Sequence, residues 1–250
     1  MKVNELKNAV NRIEISEKMQ NEILQKVNSA GQGKEEKFMK PKKKIFIVAV
    51  AAMLVLGLTA FAASTIISSW YSSSSSIPDY KTLPSAEQCI KDIGYKPVLI
   101  ETFKNGYVFK NGSVVSNNLE NEDGKSVEKF KSVSFDYEKD GDIVVFSQNK
   151  FNAEAFDSVG DVISTVDDVD IYYYSYKNKN VPANYQMTDE DKKNEASGKL
   201  IFSWGSDEVK ITDVQFVSLK KDGVLYQLMQ IDGKLSAAEL SDMAKEVIKG

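Results

Sequence analysis

Three patterns of apolar and polar residues divide the chain. Residues 45–63 read IFIVAVAAMLVLGLTAFAA and carry no charge. Before this block, apolar residues recur at the three-to-four spacing of an amphipathic helix. After it, apolar and polar residues mostly alternate, as they do in half-buried strands. The pattern predicts short N-terminal helices, one long apolar helix and a strand-rich C-terminal region.

The uncharged block has the length of a transmembrane helix. At about 1.5 Å per residue it spans roughly 29 Å, close to the bilayer hydrocarbon core of about 30 Å. The uncharged stretch continues to Ile67, and Trp70 and Tyr71 follow, as aromatic residues often do at the membrane interface. It is preceded by the lysines Lys34, Lys37, Lys40, Lys42, Lys43 and Lys44. By the positive-inside rule, we expect one span over residues 45–67 in the cell membrane, with a cytoplasmic N-terminus and an extracellular C-terminus.

The charge distribution also suggests two compartments. Residues 1–44 hold eleven Lys/Arg and six Asp/Glu, whereas residues 64–250 hold 21 basic and 30 acidic residues. A lysine run beside an apolar span is explained by topology, so we expect no direct nucleic-acid partner. The main alternative to a span is a cleaved signal peptide, because Ala60-Phe61-Ala62 fits a small-x-small cleavage site. The 44 residues before the block are far more than such a peptide usually carries.

Residues 1–44 predict a cytoplasmic helical segment followed by a basic linker. Helical spacing is kept by Val3, Leu6, Val10 and Ile13, and again by Met19, Ile23 and Val27. Two such short helices cannot bury enough apolar surface to be stable alone. They therefore need a partner, which is either the inner leaflet of the membrane or a groove on a cytosolic protein.

Beyond the block, the pattern predicts a flexible Ser-rich tether over residues 68–79 and an α+β domain over residues 80–250. Ser85 is the N-cap of a helix through Ile93, with Ala86, Cys89, Ile90 and Ile93 on its inner face. A closing helix over 236–248 begins with the capping box of Ser236 and Glu239. Its inner face consists of Leu240, Met243, Ala244 and Val247.

Between these helices the residues predict an antiparallel sheet on which the helices pack. Asn105-Gly106, Asp140-Gly141 and Asp222-Gly223 are the hairpin signals. Strand follows strand, which favours antiparallel pairing over βαβ units. The predicted strands are Val98–Phe103, Tyr107–Val115, Lys129–Tyr137, Ile143–Gln148, Val169–Tyr176, Leu200–Trp204, Val209–Leu219 and Val224–Ile231.

The composition excludes most chemistry that a sequence reveals. The chain has no histidine and a single cysteine, Cys89, which excludes Ser-His-Asp triads, CxxC motifs and zinc sites built from His and Cys. Neither GxxxxGK[ST] nor GxSxG nor GxGxxG occurs. We expect no enzyme activity, no catalytic residues, no metal and no cofactor.

Three groups of residues could form a metal, catalytic or binding site by residue type, but each also fits an ordinary structural role. Asp136, Glu138, Asp140 and Gly141 match an EF-hand loop at its start, but Ser147 stands where the bidentate glutamate belongs. The aspartates Asp157, Asp161, Asp167, Asp168 and Asp170 favour a solvated loop over paired acid and base. The run Tyr172-Tyr173-Tyr174-Ser175-Tyr176 suits an ordinary strand, with a sugar- or peptide-binding groove as the sharper alternative.

Both ends of the chain and the apolar block resemble membrane-bound anti-sigma factors, and related membrane proteins, of Gram-positive bacteria. The N-terminal features are the short helices, the Lys-rich run and the span that ends Leu58-Thr59-Ala60-Phe61-Ala62-Ala63. At the C-terminus, residues 222–228, 235–240 and 243–248 resemble the closing strand and helix of an extracellular domain of unknown function in such proteins. Residues 116–200 show no resemblance to these proteins.

The resemblance implies a single-pass regulator whose inner segment sequesters a sigma factor while the outer domain senses the envelope. The implied partner-binding residues are Leu6, Val10, Ile13, Met19, Ile23 and Val27. The chain departs from the zinc-binding class of these proteins, since its cytoplasmic part has neither His nor Cys. The alternative is an envelope-anchored, or secreted, binding or structural module with no sigma partner. Nothing in the sequence identifies the outer ligand.

Overall fold

A computed structural model describes residues 69–121, 123–151 and 158–250 of the protein. The predicted cytoplasmic segment 1–44, its six partner-binding residues and the predicted span 45–67 lie outside these residues. No helix in the described ranges has the length and apolarity that a membrane crossing requires.

The described residues form an α+β fold in which a curled, mixed sheet packs against helices. The helices are α1 (Ala86–Ile93), α2 (Asp189–Ala196) and α3 (Ala237–Lys249). The strands are β1 (Ser69–Ser74), β2 (Val108–Glu120), β3 (Ser126–Lys139), β4 (Asp142–Lys150), β5 (Asp161–Val166), β6 (Val169–Val181), β7 (Leu200–Trp204), β8 (Lys210–Lys221) and β9 (Val224–Ile231).

The sheet order is β1-β2-β3-β4-β9-β8-β6-β5, and β7 also pairs with β6. Every neighbouring pair is antiparallel except β6 and β7, which run parallel. The expectation of a purely antiparallel sheet is therefore wrong at one strand. The reason is α2, because residues 182–199 form a helical crossover of the length that parallel neighbours need.

The main core lies between one face of this sheet and the helices α1 and α3. Burial of Leu240, Met243, Ala244 and Val247 confirms the predicted inner face of α3. The predicted capping box is also present: Ser236 Oγ accepts from the Glu239 N–H, and Glu239 Oε2 accepts from the Ser236 N–H at 2.8 Å. From the sheet the core takes Val133, Phe135, Tyr137, Phe146, Val217 and Leu228.

The predicted bounds of helix α1 are confirmed, but its predicted inner face is confirmed only in part. Ser85 Oγ accepts from the Gln88 N–H, and Cys89 and Ile93 are buried. Cys89 is fully enclosed, as expected for a small core residue. Ile90, predicted on the same face, is instead 46% exposed. The hairpin turns at Asp140-Gly141 and Asp222-Gly223 are confirmed, with positive φ at all four residues.

The segment Val98–Phe103 is not a strand, contrary to the predicted alternation. Its β-pairing is limited to one isolated bridge, between Thr102 and Val108. A buried side chain replaces the missing neighbour: Gln148 accepts from the Val98 N–H at 2.7 Å and donates to the Val98 carbonyl at 2.8 Å. The apolar residues of this segment pack against the core without joining the sheet.

Residues 69–74 form edge strand β1 rather than part of a flexible tether. Their pairing with β2 continues from Ser69 to Ser74. The Trp70 indole donates to Asn117 Oδ1 at 2.9 Å, and its ring lies edge-on to Phe130 and Phe151 at 5.7 and 5.4 Å between centroids. Trp70 therefore belongs to a second apolar cluster of the domain.

Candidate functional groove

A groove of about 580 Å³ opens on the helix-bearing face of the sheet, next to the start of α3. We call it the α2–α3 groove. Its floor is formed by β6 and β8. One side consists of Asn194 in α2 with Lys199 and Leu200 at the start of β7, and the other of Gly233 before α3.

The alternation of side chains along β6 shows which of its residues face the groove. Ile171 is fully buried in the main core, so Tyr173, Ser175 and Lys177, at steps of two, lie on the same face of β6. The register sets Ser175 opposite Gln215 and Lys177 opposite Asp213 in β8. The floor thus changes along β6 from the aromatic Tyr173 to the charged Lys177.

The inner end of the floor is held by a network of hydrogen bonds. Tyr173 Oη donates to Gln215 Oε1 at 3.1 Å, and Gln215 Nε2 donates to the Leu235 carbonyl at 2.7 Å. Gln230 Oε1 accepts from the Leu235 N–H at 3.1 Å, and its amide nitrogen donates to Asp142 Oδ2 at 2.9 Å. These bonds fix the loop before α3 to the sheet, so this side of the groove is preorganised.

The opposite side is attached by charge rather than by apolar packing. Asp191 is the only buried residue of α2. Its carboxylate accepts from Lys179 Nζ and from Tyr185 Oη, each at 2.7 Å. It also accepts from the Thr188 N–H at 3.0 Å, while Thr188 Oγ1 caps the helix by accepting from the Asp191 N–H. A single carboxylate thus both caps α2 and ties it to β6.

This arrangement shifts both partners towards their charged forms. Hydrogen bonds from the Lys179 ammonium, the Thr188 N–H and the Tyr185 hydroxyl hold the pKa of the Asp191 carboxyl well below its usual range. Hydrogen bonds to Asp191 and Tyr185 raise the pKa of Lys179. The Lys179 ammonium also lies 4.8 Å from the centre of the Tyr185 ring, within cation–π range. The pair is fully ionised at neutral pH.

Three polar side chains that border the groove have no side-chain hydrogen bond or ion pair within the described ranges. They are Ser175, Asn194 and Lys199. By contrast, Lys177 Nζ lies 2.5 Å from Asp213 Oδ1 across the floor. The groove therefore offers one hydroxyl, one carboxamide and one unpaired ammonium to a ligand.

The tyrosine run divides between the two faces of β6. Tyr173, Ser175 and Tyr176 border the groove, which places them where the groove hypothesis requires. Tyr174 does not contribute to it, because its hydroxyl donates to the Gly198 carbonyl at 2.5 Å and its ring packs against Phe216. By strand alternation, Tyr173 and Ser175 lie on the face of β6 that also carries the main core, whereas Tyr174 and Tyr176 lie on the opposite face.

The described residues of the two acidic groups identified in the sequence do not border the groove. Asp136 and Glu138 lie in β3 and Asp140-Gly141 forms the following turn, with an ion pair between Glu138 and Lys110. Asp167 and Asp168 form the turn between β5 and β6; Asp157 lies outside the described residues. In the described ranges, no three His, Cys, Asp or Glu side chains are placed to share a metal ion.

The sequence analysis missed Asn194 and Lys199 because it missed α2. The helix reads DEDKKNEA and lacks any apolar stripe, so hydrophobic periodicity gives no signal there. The available signal was Thr188 followed three residues later by Asp191, which is a capping-box pattern with aspartate in place of glutamate.

Comparisons with protein families, with curated proteins and with solved structures find no match for this chain. The role of the groove therefore rests on the geometry and charge of its own residues.

Proposed function

We propose that the protein is a single-pass membrane regulator of the anti-sigma type with an extracellular binding domain. In this proposal the N-terminal helices hold a sigma factor at the membrane through Leu6, Val10, Ile13, Met19, Ile23 and Val27. The α+β domain lies outside the cell and takes a ligand in the α2–α3 groove. Support comes from the charge division around residues 45–63 and from the resemblance at both ends of the chain.

The observation that carries the proposal is the position of β1. Strand β1 of this domain covers Ser69–Ser74, and Ser69 lies two residues after the end of the predicted span at Ile67. Trp70 is fixed by Asn117, Phe130 and Phe151, so few residues are left to act as a loose spacer. A short connection suits a domain that passes a change outside to a segment inside.

The proposed mechanism is a shift of populations. A ligand that binds two conformations of the outer domain unequally favours one of them by its differential affinity. If the inner helices bind the sigma factor in only one of these conformations, then ligand binding changes the bound fraction of sigma factor by mass action.

The second candidate function is an envelope binding module without a sigma partner. It is favoured by the groove itself, whose floor and sides all come from residues 173–233. Such a module needs its N-terminal part only as an anchor or a cleaved leader. N-terminal sequencing of the mature protein distinguishes these forms, because cleavage near Ala62 would leave a secreted domain.

The test is retention of a sigma factor by the full-length chain, purified from native membranes in mild detergent. We expect mass spectrometry to identify a sigma factor with the wild type. Replacing Leu6, Ile13, Ile23 and Val27 by Ser should reduce its recovery at least about tenfold, since these apolar contacts would be the interface. The matched control replaces the polar residues Asn8, Asn11, Gln20 and Gln25 by Ser and should keep the partner.

Recovery of no sigma factor from the wild type, at equal expression and membrane localisation, would contradict the regulator. Equal recovery with both quadruple variants would instead contradict the assignment of the interface.

A further inference from the structure

We propose that the α2–α3 groove binds a sugar that carries a single carboxylate. The proposal deepens the proposed function, because it names the ligand class of the outer domain. It follows from three properties of the groove: the shortness of the free strand edge in its floor, the kinds of unpaired side chain that border it, and its charge.

The floor favours recognition by side chains over recognition of a peptide backbone. β6 pairs with β8 on one edge, and with β5 and β7 on the other. β8 pairs with β9 on its second edge. β5 pairs with β6 as far as Tyr173 and β7 pairs with it from Lys177, so residues 174–176 alone lack a strand neighbour on that edge. Three residues are fewer than an extended peptide needs for binding by strand addition.

The unpaired side chains match a ligand rich in hydroxyl groups. The Ser175 hydroxyl donates and accepts, and the Asn194 carboxamide has two donors and one acceptor oxygen. The phenol oxygen of Tyr173 already donates to Gln215 but can still accept a hydrogen bond. Sugar hydroxyls also donate and accept, so they can satisfy this mixed set. A volume of about 580 Å³ falls within the usual range of small-molecule sites, about 300 to 1,000 Å³.

The charge of the groove selects a monoanion. Lys177 is neutralised by Asp213 across the floor. Among the residues that border the groove, this leaves Lys199 as the one cation without an ion pair in the described part of the chain. This local positive charge stands in a region, residues 64–250, that holds 21 basic and 30 acidic residues. One ammonium complements one carboxylate, whereas the second negative charge of a phosphate meets no second unpaired cation among the described residues that border the groove.

The test uses the full chain in detergent micelles and saturation-transfer NMR with three probes: sodium glucuronate, glucose and glucose 6-phosphate. We expect glucuronate to bind saturably and at least about fivefold more tightly than glucose, because only glucuronate gains the charge-assisted contact. Lys199→Gln should weaken glucuronate at least about fivefold and leave glucose unchanged. Lys199 is exposed and makes no side-chain hydrogen bond or ion pair with the described residues, so this variant should keep the fold.

Lys192→Gln is the matched control. Lys192 is an exposed lysine of α2 that does not border the groove, so glucuronate binding should stay at the wild-type value. Asn194→Ala should weaken glucuronate and glucose alike, because it removes a contact to hydroxyl groups.

The proposal is overturned if glucuronate and glucose bind equally, if glucose 6-phosphate binds more tightly than glucuronate, or if Lys199→Gln and Lys192→Gln behave alike. The absence of saturable binding up to about 50 mM, near the upper end of weak small-molecule affinities, would also overturn it. This readout involves no sigma factor. Loss of sugar binding with sigma retention intact therefore rejects the ligand class alone, and the reverse result rejects the regulator alone.

Discussion

Asp191 is the residue on which the attachment of α2 depends. It is the only buried side chain of the helix, and its carboxylate accepts from Lys179, Tyr185 and the Thr188 N–H. Replacing the carboxylate by a neutral amide leaves the Lys179 ammonium, which is 14% exposed at its side chain, without its counter-charge. The residue therefore controls one side of the α2–α3 groove without bordering it.

We predict that Asp191→Asn loosens α2 while the rest of the sheet keeps its stability. Hydrogen–deuterium exchange should show faster exchange of the α2 amides than in the wild type, with β3, β4 and β9 unchanged. Asp189→Asn is the control, because Asp189 is fully exposed and lies 3.9 Å from Lys192 in a surface pair that should contribute little. Equal exchange in the two variants would show that the carboxylate does not hold the helix.

The pH dependence of the same exchange follows from the two pKa shifts. The lowered pKa of Asp191 means that its contribution is complete above the unfolded value, about 3.9, and is lost as the pH falls through the lower folded value. The raised pKa of Lys179 means that its contribution is complete below about 10.4 and is lost as the pH rises through the higher folded value. After correction for the intrinsic exchange rate, α2 protection should be flat from about pH 5 to 9.

At the scale of elements, β1 determines how the domain is joined to the preceding chain. Its sequence, SWYSSS, contains no charge and four serines that would suit a spacer or turn as well as a strand. The strand exists because Trp70 fills a space between Phe130 and Phe151, while Ser72 Oγ donates to Asn117 at 2.8 Å. Trp70 and Ser72 thus hold the segment in its pairing with β2.

We predict that Trp70→Ala lowers the free energy of unfolding by about 2 to 4 kcal/mol, because it empties a half-buried aromatic site. Tyr71→Ala, on the other face of the same strand, should cost less than about 1 kcal/mol, since Tyr71 is 40% exposed. Urea unfolding of the full chain in micelles, followed by far-UV circular dichroism, measures both. A difference of less than about 0.5 kcal/mol between the variants would contradict the role of Trp70.

The elements that the sequence predicts correctly are those whose local signals agree with their tertiary contacts. Helix α3 has both a capping box and an apolar stripe, and the β3–β4 and β8–β9 hairpins have both alternation and an Asp-Gly turn. Val98–Phe103 has alternation, but Gln148 binds its backbone in place of a neighbouring strand. Strand β5 was missed because its turn is Asp167-Asp168, which reaches positive φ without a glycine.

The groove was only partly predictable for the same reason. Tyr173 and Ser175 were identified because the tyrosine run is conspicuous in the sequence. Asn194 and Lys199 reach the groove because β7 returns parallel to β6, and α2 in that crossover is tied to β6 by the ion pair between Lys179 and Asp191. Lys179 and Asp191 are twelve positions apart, in a segment with no hydrophobic periodicity. Their pairing therefore leaves no recognisable pattern in the sequence.

At the scale of the whole molecule, the proposal depends on which side of the membrane the α+β domain occupies. The chain is well suited to a labelling test, because its single cysteine, Cys89, is fully buried and burial raises the pKa of its thiol. The folded wild type should therefore react little with a maleimide. An introduced cysteine at an exposed position reports its own compartment against this low background.

The most direct measurement is labelling of intact cells with a membrane-impermeant maleimide, using the variants Lys192→Cys and Lys18→Cys. Lys192 is an exposed residue of α2, and Lys18 belongs to the predicted cytoplasmic segment. We expect Lys192→Cys to be labelled in intact cells and Lys18→Cys only after permeabilisation. Labelling of Lys192→Cys only after permeabilisation would place the α+β domain inside the cell and contradict the proposed function.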